Sequence, residues 1–185
     1  MALKATIHKV QLQLADMDRH VYADPAMTIA RHPSETDERM MIRVLAMAMG
    51  WPADTNQGTL EIAKDMWEPD EPALWHKNYT GDILHWVEVG QPDDKRLMKA
   101  CGRADRVTVW AFQSSTPVWW TTIANKLTRA SKLTVWQVPT EQSQALAALA
   151  QRSMVLQVSV QDGSIWISEG EQSVEITPVK LMGPD

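Results

Sequence analysis

Apolar and polar residues alternate from Ala5 to Leu14, in the two-residue period of a half-buried strand. The following "YADPAMTIARHPS" reads as its hairpin partner and a loop. The period then lengthens. Glu38, Met41, Ile42, Leu45 and Met49 fall at helical spacing, so "HPSETDERMMIRVLAMAMGW" predicts a helix. Ser34 can cap it, and Gly50 with Pro52 ends it. A short strand is expected at Thr59 to Ala63, then a hairpin of "DEPALWHK", the turn "NYTG" and "DILHWVEVG".

Beyond that hairpin, "QPDDKRLMKACGRA" predicts a helix with Asp93 as its natural cap. "RVTVWAF" and "LTVWQV" read as strands around the helix "STPVWWTTIANKL", with "PTEQSQALAALAQR" a further helix. "MVLQVSVQDGSIWISEG" reads as a hairpin turning at Asp162-Gly163, and "SVEITPV" as a last strand. This order predicts an α/β fold with a mixed central β-sheet flanked by helices and extra antiparallel strands at both ends. A chain of 185 residues can bury one substantial core, so a single domain over 1–185 is expected.

Composition narrows the function classes. Lys and Arg total 18 against 23 Asp and Glu, a net charge of −5, so no general basic field draws in polyanions. Nucleic-acid contact would need a local basic stripe. The single cysteine, Cys101, excludes an intrachain disulfide and suits a reducing cytoplasm. It lies on an apolar helix face and reads as core. The N-terminus lacks the apolar stretch of a signal peptide, and the longest apolar run, "VLAMAMGW", is too short to cross a bilayer. A cytoplasmic protein without membrane attachment is expected. Nine Trp are expected mainly as packing, although "VWW" at Val118 to Trp120 has the look of an interface. The five His residues show no metal-ligand spacing, and His85 reads as a satisfied core histidine.

The chemistry concentrates on "WVEVGQPDD". Glu88 lies in an apolar strand between Val87 and Val89, where an ionised carboxylate is costly unless paired or bound to a metal. A turn at 78–81 would put Lys77 opposite Asp82 and Glu71 opposite Glu88, with Asp70 diagonal; a slip of one residue would put Asp70 there. Acids so close call for a cation, and Mg²⁺ suits one or two carboxylates. Asp82, six residues along the same strand from Glu88, is too far away to share the ion. Glu38 is expected to point inward from the first helix, as metal ligand or salt-bridge partner, with Glu35 and Asp37 solvated. The helix after Glu88 carries Lys95, Arg96, Lys99 and Arg103, read either as a solvated face or as charge for a phosphodiester.

"MALKATIHKV", "ARHPSETDERMMIR", "WVEVGQPDDKRLMKACGRA" and "VLQVSVQDGSIWIS" resemble the YaeQ family over nearly the whole chain. The resemblance implies a fold similar to the PD-(D/E)XK nuclease superfamily, an αβββαβ core holding carboxylates around Mg²⁺. On that pattern Pro69-Asp70 supplies the PD, Glu88 the second acid and Glu38 the helix acid. The same dipeptide recurs at Pro92-Asp93 and Pro184-Asp185, but only the first precedes Glu88.

One residue departs from the pattern: Gly90 stands where the lysine belongs. Lys99 or Lys95 from the next helix would have to replace its charge, or Gln91 would have to orient the water. Two functions follow as expectations. One is a Mg²⁺-dependent nuclease, accepting Mn²⁺ as substitute, that uses Asp70, Glu88, Glu38, Gln91 and Lys99. The other is an inactive descendant that binds nucleic acid or protein.

Overall fold

The computed structural model describes residues 4–184 and groups the chain into two compact units, Met1–Ala53 with Glu141–Thr177, and Asp54–Thr140 with Pro178–Asp185. Each unit is built around its own six-stranded mixed sheet, so two sheets stand where one central sheet was expected.

The first unit contains β1 (Thr6–Asp16), β2 (Val21–Ala23), β3 (Ala26–Arg31), α1 (Asp37–Gly50), β9 (Ser153–Gln161), β10 (Ser164–Glu169) and β11 (Gln172–Ile176). The helix α4 (Thr140–Ala147) begins at its boundary. The strand order is β11-β10-β9-β1-β2, with β3 also pairing β1. The terminal strands therefore do more than extend another sheet. β1 runs parallel to β9, with Lys9 beside Ser153 and Leu14 beside Val158. Both strands alternate with the same phase, so their buried sides coincide: Val10, Leu12 and Leu14 with Met154, Leu156 and Val158. The β9–β10 turn is Asp162-Gly163, both at positive φ, the conformation a two-residue hairpin needs and glycine adopts freely. Asp18 accepts both backbone N–H groups of this turn, at 2.8 and 2.9 Å.

α1 is capped by Thr36, whose hydroxyl accepts from the Arg39 N–H; Ser34 is not the cap. Every residue from Met40 to Ala48 is buried, all but Arg43 apolar, so the buried surface is broader than a single stripe. The acid taken as solvated at this end, Glu35, is in fact buried. Its carboxylate pairs with Arg39 and Arg43, and its carbonyl accepts from Arg31. At the other end Arg19, ion-paired to buried Asp16 at 2.6 Å, donates to the carbonyls of Ala48 and Trp51 and so closes the helix C-terminus.

The second unit contains β4 (Leu60–Ile62), β5 (Leu74–Lys77), β6 (Ile83–Val89), α2 (Asp94–Arg103), β7 (Ala104–Ala111), α3 (Thr116–Ile123), β8 (Leu133–Gln137) and β12 (Val179–Met182), in the sheet order β12-β8-β7-β6-β5-β4. The three central strands, β6, β7 and β8, are parallel and joined by helical crossovers. One side of the sheet packs Trp86, Val107, Val109, Leu133 and Val135 against Leu97 and Ala100 of α2 and Ile123 at the end of α3. Each Val, Leu and Ile among them contributes about 1.5–3 kcal/mol of burial. This packing fixes α2 across the end of β6, where Glu88 lies.

Candidate functional site

β6 carries Trp86 and Glu88 two residues apart, hence on one side of the sheet. Glu88 is 5% exposed. Its Oε1 accepts from the Trp86 indole Nε1–H at 2.8 Å and from Arg96 Nε at 2.7 Å. Arg96 reaches it because Asp93 caps α2, accepting the Arg96 N–H at 2.7 Å and fixing that residue in the first turn, above the strand end. The other guanidinium nitrogens donate to the carbonyls of Pro69 and Glu71. One arginine thus ties β6, α2 and the 69–71 segment together. Burial raises the Glu88 carboxyl above its ordinary range; Arg96 and the indole pull the other way, and Asp65 adds to the rise.

The hairpin register differs from the one expected. Leu74 faces Val87 and His76 faces His85, then an irregularity between His76 and Lys77 brings Lys77 opposite Ile83. The turn is also shorter, since Asn78 N–H already donates to the Asp82 carbonyl at 3.0 Å. Continued to Glu88, this register reaches Ala73. Neither Glu71 nor Asp70 is its strand partner. Both precede β5, and the side chain of Asp70 is 80% exposed with Lys99 at 3.8 Å.

The remaining expected site residues have other partners. Gln91 donates to the Ser115 hydroxyl at 2.8 Å. Glu38, in the first unit, accepts from the Ser143 hydroxyl at 3.3 Å. His85 accepts from Arg106 at 3.0 Å through Nδ1 and bonds the Thr108 hydroxyl at 2.8 Å through Nε2, a satisfied core histidine. The structure therefore joins Lys99 with Asp70, and Glu88 with Arg96, a residue expected only as one of the helix charges.

Gly90 has a backbone reason of its own. Its φ is +108°, which L side chains rarely adopt, and its N–H donates to Trp110 at 2.9 Å. A lysine here would be strained.

The Mg²⁺ that the resemblance implies does not fit these donors. Glu88 Oε1 is shared by an indole N–H and a guanidinium, and the guanidinium repels a second cation. Asp70 is drawn to Lys99 instead. Among the described residues no three His, Cys, Asp or Glu side chains gather as a metal site. A cavity of about 20 Å³ lies between Asp70, Trp86, Arg96, Lys99 and Arg103, space on the scale of one water. Lys95, Lys99 and Arg103 are exposed along α2, and Arg103 sits 5.0 Å over the Trp86 ring.

No helix among the described residues is long and apolar enough to cross a membrane. The crystal structure of YaeQ protein from Xanthomonas axonopodis pv. citri superposes with a TM-score of 0.91 at 40% identity, covering 98% of this chain and 100% of that one. That of YaeQ protein from Pseudomonas syringae gives 0.90 at 34% identity, covering 97% of each. The uncharacterized protein YaeQ of Escherichia coli K12 is 39% identical over 177 residues, 95% of both chains, and that of Salmonella typhi is 40% identical over the same span. The family model described as YaeQ protein matches residues 1–178, and the chain belongs to the YaeQ family.

Proposed function

We propose that this chain is an inactive relative of the PD-(D/E)XK nucleases, an interaction module that takes a nucleic-acid backbone along the exposed cations of α2. The observation that carries the reading is the bond from Arg96 to Glu88, which commits the buried acid to an internal guanidinium. The order β4-β5-β6-α2-β7 of the second unit supports the kinship, since it reads βββαβ and follows α1 along the chain. The positive φ of Gly90 supports the loss of chemistry, because the usual lysine has no relaxed conformation there. Lys95, Lys99 and Arg103 supply the local stripe that an acidic chain needs to hold phosphates.

The test incubates the purified protein with single- and double-stranded DNA and RNA, with Mg²⁺ or Mn²⁺. The expected result is retention that weakens with salt and is lost in Lys99→Glu/Arg103→Glu, without cleavage above that of Glu88→Ala. Cleavage abolished by Glu88→Ala would overturn the reading in favour of a metal-dependent nuclease. Absence of binding at low salt would overturn both.

A further inference from the structure

The sheet of the first unit turns one side to solvent, and that side is almost uncharged. Along β1, β3, β9, β10 and β11 its outward positions are Ser, Thr, Ala and Gln interspersed with single apolar residues. Among the described residues of these strands, Lys9 and Glu175 are its only charges. Val155 is 55% and Ile7 46% exposed on the same side. Depletion of charge and an exposed Trp are marks of an interface core, whereas the Ser and Ala positions are not.

The relief is uneven. A hollow of about 310 Å³ is lined by Lys9, Gln11, Ala26, Thr28, Ser153 and Val155, where small side chains leave the sheet low. Two strands from β1, on β10, Trp166 is 37% exposed. It stands between Ser164 and Ser168 on its own strand and beside Ser159 of β9, all too short to cover it. Its neighbour on the other side, directly paired across β10 and β11, is Glu175.

We propose that this face is a two-fold interface with a second copy of the chain, in which Trp166 of each copy enters the hollow of the other. The same docking accounts for both charges. Glu175 travels with Trp166 as its cross-strand neighbour, and Lys9 is on the rim of the hollow, so seating the indole brings Glu175 to the Lys9 of the other copy. A two-fold axis makes each contact twice and closes the assembly at two copies. A hydrophobic partner of other shape would meet Lys9 and Glu175 as uncompensated charges. From strand spacings of about 4.8 Å and a rise of about 3.3 Å per residue, the face offers roughly 500–600 Å² per copy. That is the small end of specific interfaces, so association is expected at micromolar concentration. The interface does not involve α2 and is independent of the function proposed above.

Sedimentation velocity of the full chain from about 1 to 200 µM tests this range. The expected result is a concentration-dependent dimer, weakened about ten-fold or more by Lys9→Glu, by Glu175→Lys and by Trp166→Ala. The combined Lys9→Glu/Glu175→Lys variant is expected to recover association to within about three-fold of the original, which no unfolding effect could do. A monomer throughout, a dimer indifferent to Trp166→Ala, or a double charge exchange weaker than either single one would overturn the proposal. Circular dichroism checks that each variant keeps its fold.

Discussion

Arg96 donates from Nε to Glu88 across 2.7 Å, so the acid inside β6 is held by a cation eight residues further along the chain. The same guanidinium also satisfies two carbonyls of the 69–71 segment. Arg96→Met is therefore expected to cost about 2–4 kcal/mol, because it leaves a buried carboxylate without its cation. Urea denaturation at neutral pH measures it. Lys99→Ala, which removes only the exposed pair with Asp70, is expected to change stability by less than about 0.5 kcal/mol.

Glu88 also sets a pH dependence. Burial raises its folded-state pKa above the ordinary 4.5, so in the window above 4.5 the native state binds more protons than the unfolded one. Its contribution is complete below 4.5 and is lost as pH rises through the raised value. The stability of the native protein minus that of Glu88→Gln is expected to fall as pH rises from about 4. Thermal unfolding of both proteins across a pH series reads this slope; a difference that grows with pH would contradict it.

The buried pairing of Glu35 with Arg39 and Arg43 anchors the start of α1. Arg43 has only 4% of its side chain exposed, so Glu35→Ala takes a buried carboxylate away from a guanidinium that water barely reaches. A loss of about 3–5 kcal/mol is expected, several times that of replacing the neighbouring exposed Asp37. Guanidinium chloride titration of the two variants makes the comparison.

Thr36→Ala is expected to destabilise by about 1 kcal/mol, through loss of the bond its hydroxyl accepts from the Arg39 N–H. Ser34→Ala at the alternative cap position is expected to have no measurable effect. Chemical denaturation separates the two.

Much of the architecture can be read along the chain. Alternation locates β1 and β9, Asp162-Gly163 locates the β9–β10 turn, and Asp93 marks the start of α2. Local period cannot reveal that β1 lies beside β9, because strands from opposite ends of a sequence carry no mark of their pairing. That omission replaces one sheet with two. The hairpin pairing departs from expectation for a smaller reason. The irregularity at His76 and Lys77 and the shortened turn together move the ladder by two residues, which removes Glu71 and Asp70 from Glu88. Arg96 was legible in principle: with Asp93 as cap, it falls in the first turn of α2 and points back over the end of β6. The charges around it on the helix mask that role. A carboxylate just outside a helix start is usually solvated, but two arginines one turn apart offset the cost of burying Glu35.

The parallel pairing of β1 with β9 has a consequence for how the chain folds. Lys9 finds Ser153 only across an intervening stretch that contains almost all of the second unit. During synthesis the N-terminal strand, with its β2 and β3 neighbours, must wait for most of the polypeptide before that edge can be filled. Closing so long a loop makes this step slow compared with the local hairpins and helices between. The order of assembly is thus set from the inside outwards, with the pairing of β1 and β9 among the last contacts to be locked.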